Sequence, residues 1–143
     1  VNAQAVMESL PEFIKARAEV EGQAKVYDNQ LKEMQTEIQK KAEEYDKTQA
    51  TMNDTKRKET EATLQDLYQK FQQAQQDNAQ AIQKLQNEKL QPIVTKLQNA
   101  IKNVGKAGGY VYIMDLSSGI PYISDTLSKD VTADVKAELN KLK

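Results

Sequence analysis

Two stretches of this chain carry apolar residues three and four positions apart, and they mirror each other about Asp54. The first runs Val20, Ala24, Tyr27, Leu31, Met34, Ile38, Tyr45; the second runs Leu64, Leu67, Phe71, Ala74, Asn78, Ala81, Leu85. Sustained spacing of this kind marks a coiled-coil seam. Two seams separated by a short break predict one helix folding back on another. An antiparallel hairpin turning near Asp54 pairs positions whose numbers sum to about 109. Tyr45 then meets Leu64, Ile38 meets Phe71 and Ala24 meets Leu85. Asn78 is the exception, a polar residue at a seam position opposite Leu31, where a buried Asn fixes register at a cost in stability.

The break itself is Thr51-Met52-Asn53-Asp54-Thr55, residue types that bond their own backbone and favour turns and caps. Ser9-Leu10-Pro11-Glu12 reads as the first helix start, with Ser9 as cap, Glu12 completing a capping box and Pro11 in the first turn. Residues 12–49 then span roughly 55 Å as helix, interrupted only by Gly22. Lys56 to Gly105 reads as the second helix. Pro92 sits inside it, removes a backbone donor, and is the candidate hinge. Beyond Pro92 the apolar pattern widens through Ile93, Val94, Leu97, Ile101 and Val104, a face suited to more than one partner.

The last forty residues change character. Gly105 and Gly108-Gly109 end the helix. Tyr110–Asp115 and Ile120–Ser124 read as two strands joined at Ser117-Ser118-Gly119, a hairpin that needs further strands to be stable. Pro121 places the second at an edge. Asp130 then caps a final helix with Val131, Val135, Leu139 and Leu142 along one face.

Composition fits long solvated helices. Mean hydropathy is -0.76, and 29% of residues are charged against 6% aromatic, too little core for an isolated monomer. Net charge is -1, which argues against general nucleic-acid binding. The chain holds no His and no Cys, so the commonest general base, the commonest nucleophile and thiolate metal sites are absent. The expectation is a protein that is not an enzyme and uses no cofactor or metal. No apolar run is long enough to span a membrane. Val1-Asn2-Ala3 reads as the end of a strand in a processed chain.

The order of parts resembles the Skp/OmpH family of periplasmic chaperones. Val1-Asn2 followed by Val6-Met7, the helix end from Leu97 to Val104, Tyr110–Asp115 and the Asp130–Val135 cap carry the likeness across the whole chain. The resemblance implies an α+β, mostly helical fold. A long antiparallel coiled-coil arm (residues 12–91, tip near 50–56) is inserted in a small β base (residues 1–11 and 92–143) that trimerises, with a short C-terminal helix. It also implies an ATP-independent holdase in the periplasm. Its partners are further copies of itself and unfolded outer-membrane β-barrel proteins, held between the arms of a homotrimer, with a lipid surface as a further contact. Val111, Ile113, Ile120 and Tyr122 are the candidate trimer-base residues. Tyr45, Met52, Lys56, Arg57, Lys58 and Tyr68 are the candidate client contacts, with seam packing and solvated charge as the plainer reading of the same residues. The slightly acidic charge departs from the strongly basic members, so no lipopolysaccharide site is carried over. A structural coiled-coil adaptor and a prefoldin-like subunit are the alternatives; prefoldin hairpins lie between the helices rather than after both.

Overall fold

The computed structural model describes residues 1–142. Four helices occur among them: α1 (Ala3–Glu8), α2 (Pro11–Thr48), α3 (Asp54–Gly108) and α4 (Thr132–Leu139). Short 3₁₀ turns lie at Gln49–Thr51 and Leu116–Ser118. The chain divides into two compact units, one of Val20–Leu85 and one of Val1–Glu19 with Gln86 onward.

In the Val20–Leu85 unit, every seam position read from the sequence is at least partly buried, with Val20 at 7% and Ile38 at 5% exposure the most enclosed. Tyr45 donates from its hydroxyl to the Glu61 carboxylate, a pair whose numbers sum to 106, close to the mirror register. The turn closes with one Asn and one Arg. Asn53 Oδ1 accepts from the Lys56 amide at 2.8 Å and so caps α3, as its short carboxamide allows. Arg57 reaches back to the Gln49 and Met52 carbonyls, both at 3.3 Å, bracing the 3₁₀ turn that follows α2 at its first residue and at the residue just past it. Asn78 Nδ2 is buried with no hydrogen-bond partner.

The other unit holds a small apolar core of Val1, Val6, Leu97, Ala100, Val131, Val135 and Leu139. Of these, α1 brings Val6, α3 brings Leu97 and Ala100 and α4 brings Val135 and Leu139, and Val6, Ala100 and Val135 are completely enclosed. Here α2 and α3 are tied by Lys96–Glu12 at 2.9 Å and Lys89–Glu19 at 2.6 Å, both pairs summing to 108. α3 ends in a Schellman motif. Gly109 adopts a φ of 66°, while the Tyr110 amide meets the Gly105 carbonyl at 3.0 Å and the Gly109 amide meets that of Lys106 at 3.3 Å, which is the two-bond pattern such a cap requires.

Three sequence expectations are corrected. Ser9 does not open a helix. Its hydroxyl donates to the Val6 carbonyl at 2.7 Å and its amide to the same oxygen at 3.2 Å, so it closes α1, and α2 begins at Pro11 behind Leu10. Asp130 acts one position before the N-cap, taking the Thr132 amide at 2.9 Å, while Val131 is the cap residue without a side-chain bond. No strand forms among the described residues. Residues 110–115 and 120–124 have strand composition, yet a lone hairpin is marginal and one chain offers no third or fourth strand to flank it. A trace of sheet pairing survives at Val1. Its amine donates to the Met114 carbonyl at 3.0 Å, and its carbonyl accepts from the Leu116 amide at 2.9 Å. Bonds to residues on either side of Asp115 are the pattern of a parallel β bridge.

Candidate functional site

The candidate client contacts in the Val20–Leu85 unit sort by how far their side chains are already engaged. Tyr45 is half-buried and bonded to Glu61, whose carboxylate raises the phenol above its ordinary pKa by accepting its proton in a hydrogen bond. Arg57 is half-buried; besides the two carbonyls it pairs with Asp54 at 3.5 Å. Met52 is half-buried in the turn, with extended backbone at φ -77° and ψ 143°. Lys56 and Lys58 are exposed on the first turns of α3. Tyr68 is 51% exposed. Aromatic, thioether and cationic groups are thus available at this end of the hairpin, with Arg57 spent on holding the turn. The sequence cannot give that role to Arg57, because it depends on where the end of α2 falls relative to the first turn of α3.

In the other unit the largest exposed apolar groups cluster in the segment after α3. Val111 is 84% exposed, Tyr112 78%, Tyr122 79% and Leu127 92%, with Met114 and Leu116 beside them. Of the other candidate base residues, Ile113 packs against the core and Ile120 is half-buried. Tyr112, Ile113, Met114, Leu116, Ile123 and Leu127 contribute to the walls of a groove of about 590 Å³. Val111, Tyr112 and Ile113 make no main-chain hydrogen bond among the described residues, so their amides and carbonyls are open to pairing. Leu127, which composition alone does not single out, is the most exposed apolar side chain of the group.

Asp115 organises the junction beneath this segment. Its carboxylate accepts from the Ala3 amide at 3.2 Å and from the amide and hydroxyl of Ser117 at 3.1 and 2.5 Å. The Ser117 hydroxyl first, helped by the two amides and the nearby amino terminus, holds its pKa below the ordinary carboxylate value against burial, which pushes it up. Sequence reasoning took Asp115 only as a strand end. Its closeness to Ala3, 112 positions away, has no local signature. Pro92 is exposed within α3, which continues on both sides of it.

Among the described residues no group of three or more His, Cys, Asp or Glu is placed to hold a metal ion. No helix among them is long and apolar enough to cross a membrane.

A helical hairpin with a continuous seam, joined in one chain to a small core built from both chain ends, defines a coiled-coil-hairpin class of protein. Within that class, the family described as "Outer membrane protein (OmpH-like)" matches residues 1–139, and the chain belongs to it. Two relatives carry the name "Chaperone protein Skp". The one from Yersinia enterocolitica is 27% identical over 135 residues, covering 94% of this chain and 80% of its own length. The one from Pectobacterium atrosepticum is 27% identical over 139 residues, with the same coverage.

Proposed function

We propose that this protein is a periplasmic chaperone for outer-membrane proteins, working as an ATP-independent holdase. Family membership over residues 1–139 carries this reading, strengthened by relatives named as chaperones across 94% of the chain. In the proposed mechanism the segment after α3 associates with two further copies. Val111, Ile113, Ile120 and Tyr122 lie at the contact, and the open backbone of residues 111–113 completes a shared sheet. Enclosing four side chains as exposed as Val111, Tyr112, Tyr122 and Leu127 is worth about 1.5–3 kcal/mol each before association costs are subtracted, a contribution that supports association. Three hairpins then surround an unfolded β-barrel protein. Each contact is weak and reversible, and their number supplies the hold. Tyr45, Met52, Lys56, Arg57, Lys58 and Tyr68 are proposed contacts, and Pro92 the point about which a hairpin adjusts.

The deciding experiment dilutes a urea-unfolded outer-membrane β-barrel protein into buffer with and without this protein and follows light scattering, with no nucleotide present. Suppression by a small molar excess of trimer is expected; undiminished scattering would overturn the holdase reading and leave the adaptor alternative. Sedimentation of the protein alone should give a trimer, and a stable monomer would refute the shared base.

A further inference from the structure

The outward face of α3 in the Val20–Leu85 unit has an unusual chemistry. At about 100° per residue, positions 65, 69, 72, 76, 80 and 83 point away from the seam formed by Leu64, Leu67, Phe71, Ala74, Asn78, Ala81 and Leu85. All six are glutamine and all are exposed. In a chain with 29% charged residues, this row carries no charge. The outward positions of α2 in the same unit include Lys25, Lys32, Glu33, Lys40 and Lys47, the ordinary charged surface of a solvated helix. Gln65, Gln69, Gln72, Gln76 and Gln80 make no side-chain hydrogen bond among the described residues, whereas Gln73 on the flank is committed to Asp77 at 2.8 Å.

A carboxamide offers what a peptide group offers, a carbonyl acceptor and N–H donors. Successive members of the row rise by about 4.5–6 Å along the helix. Alternate residues of an extended chain, whose polar groups face the same way, repeat at about 6.6–6.8 Å. The difference is within the reach of a side chain with three rotatable bonds. The row from Gln65 to Gln80 spans about 22 Å at 1.5 Å per residue, the length of roughly seven extended residues, so the five carboxamides face about four same-facing positions of such a chain. Being neutral, it selects neither acidic nor basic sequence. Tyr68 borders it and is 51% exposed, an apolar surface beside the polar row.

We propose that Gln65, Gln69, Gln72, Gln76 and Gln80 form a docking strip for the main chain of an extended, unfolded polypeptide, read through its peptide groups and not its side-chain charge. The proposal rests on the chaperone reading and assigns it a binding surface. Replacing all five glutamines with alanine keeps helix propensity and removes the carboxamides. With a urea-unfolded outer-membrane β-barrel protein as probe, the variant is expected to bind about tenfold more weakly than the wild type. That ratio should persist from low to high salt, where the Debye length shortens from ~30 to ~3 Å. Binding within about twofold of the wild type would make the strip a plain solvated face and leave the chaperone reading standing. A ratio that collapses with salt would also overturn the strip. A wild type that binds no client would instead overturn the chaperone reading, and the strip with it. If the variant changes association state in the absence of client, the row contacts a second copy and the proposal fails. Should the fivefold variant lose helicity, a photo-crosslinker placed singly at position 72 or at position 32 decides: client adducts favouring 72 uphold the strip, and equal or reversed yields overturn it.

Discussion

Replacing Asn78 with leucine should make this protein more stable, against the usual outcome of mutating a half-buried residue. Asn78 Nδ2 is enclosed at the seam with no partner, between Ala74 and Ala81 on α3. An unpaired buried donor costs about 1–3 kcal/mol. Leucine removes that cost, adds apolar surface where Leu31 stands opposite in the mirror register, and has better helix propensity by roughly 0.5 kcal/mol. Because Asn78 is only half-buried and the unfolded chain hydrates its amide, a net gain of about 1.5–3 kcal/mol is expected. That raises the melting temperature by roughly 3–12 °C at about 2–4 °C per kcal/mol. Urea unfolding followed by far-UV circular dichroism should move its midpoint upward with an unchanged slope. Asn78→Ala, which removes the orphan without adding packing, should fall between wild type and Asn78→Leu. A midpoint unchanged or lowered in both variants would refute the reasoning, because the amide must then be satisfied. A rise in Asn78→Leu alone would assign the gain to packing. The register role of a seam asparagine is redundant here, since the five-residue turn with its Asn53 cap and Arg57 brace already fixes how the helices meet.

Further outcomes concern the turn and cap residues and two glycines, Gly22 within α2 and Gly109 at the end of α3. Gly22→Ala should gain roughly 0.5–1 kcal/mol, because the position is mid-helix with nothing within 4 Å of an added Cβ. Gly109→Ala should lose about 1–2 kcal/mol, because φ is 66° and a Cβ resists the left-handed region; a lowered urea midpoint for Gly22→Ala would contradict the first, and a raised one for Gly109→Ala the second. Asp115 has a folded pKa below its ordinary value. The stability it adds is therefore fully present above about pH 4 and lost as pH falls through the lower folded value. Asp115→Asn should flatten that acid limb, and parallel acid limbs in variant and wild type would refute it. Arg57→Ala should speed hydrogen exchange around residues 49–57 by about three- to tenfold, for bonds worth about 0.5–1.5 kcal/mol, with the global urea midpoint lowered by the same free energy. Unchanged exchange with weakened client binding would show Arg57 acting by contact instead.

The hairpin was legible because its evidence is periodic. In a chain this polar, Val20 to Tyr45 and Leu64 to Leu85 can be apolar at that spacing only for a shared seam, and a short turn then dictates register. Asn78 was legible as a polar seam residue for the same reason, but that its amide has no partner depends on which side chains stand around it. Ser9 misled because α1 and α2 are separated by two residues, Ser9 and Leu10, so one serine can serve either helix end and only tertiary placement decides. Tyr110–Asp115 and Ile120–Ser124 misled differently. Strand propensity measures fit to neighbouring strands, and within one described chain Val1 is the only neighbour that pairs. Asp115 and Arg57 bond backbone groups whose positions are set by how elements meet, and no local pattern announces such partners.

The bridge between Val1 and the residues flanking Asp115 bears on the order of folding. It joins positions 113 apart, a contact order unusual for a helical protein. Closing such a loop in a random chain is entropically costly. Once α2 and α3 have zipped as far as Glu19 and Lys89, only roughly 45 residues remain to be closed. At about 0.6 kcal/mol per doubling, that shortening lowers the cost by roughly 0.8 kcal/mol, about a fourfold gain in closure probability. The local, turn-nucleated hairpin therefore comes first in time. The core that unites the chain's two ends is its late product, so mutations at Val6 or Leu139 should mainly speed unfolding, while those at the Asn53–Arg57 turn should slow folding.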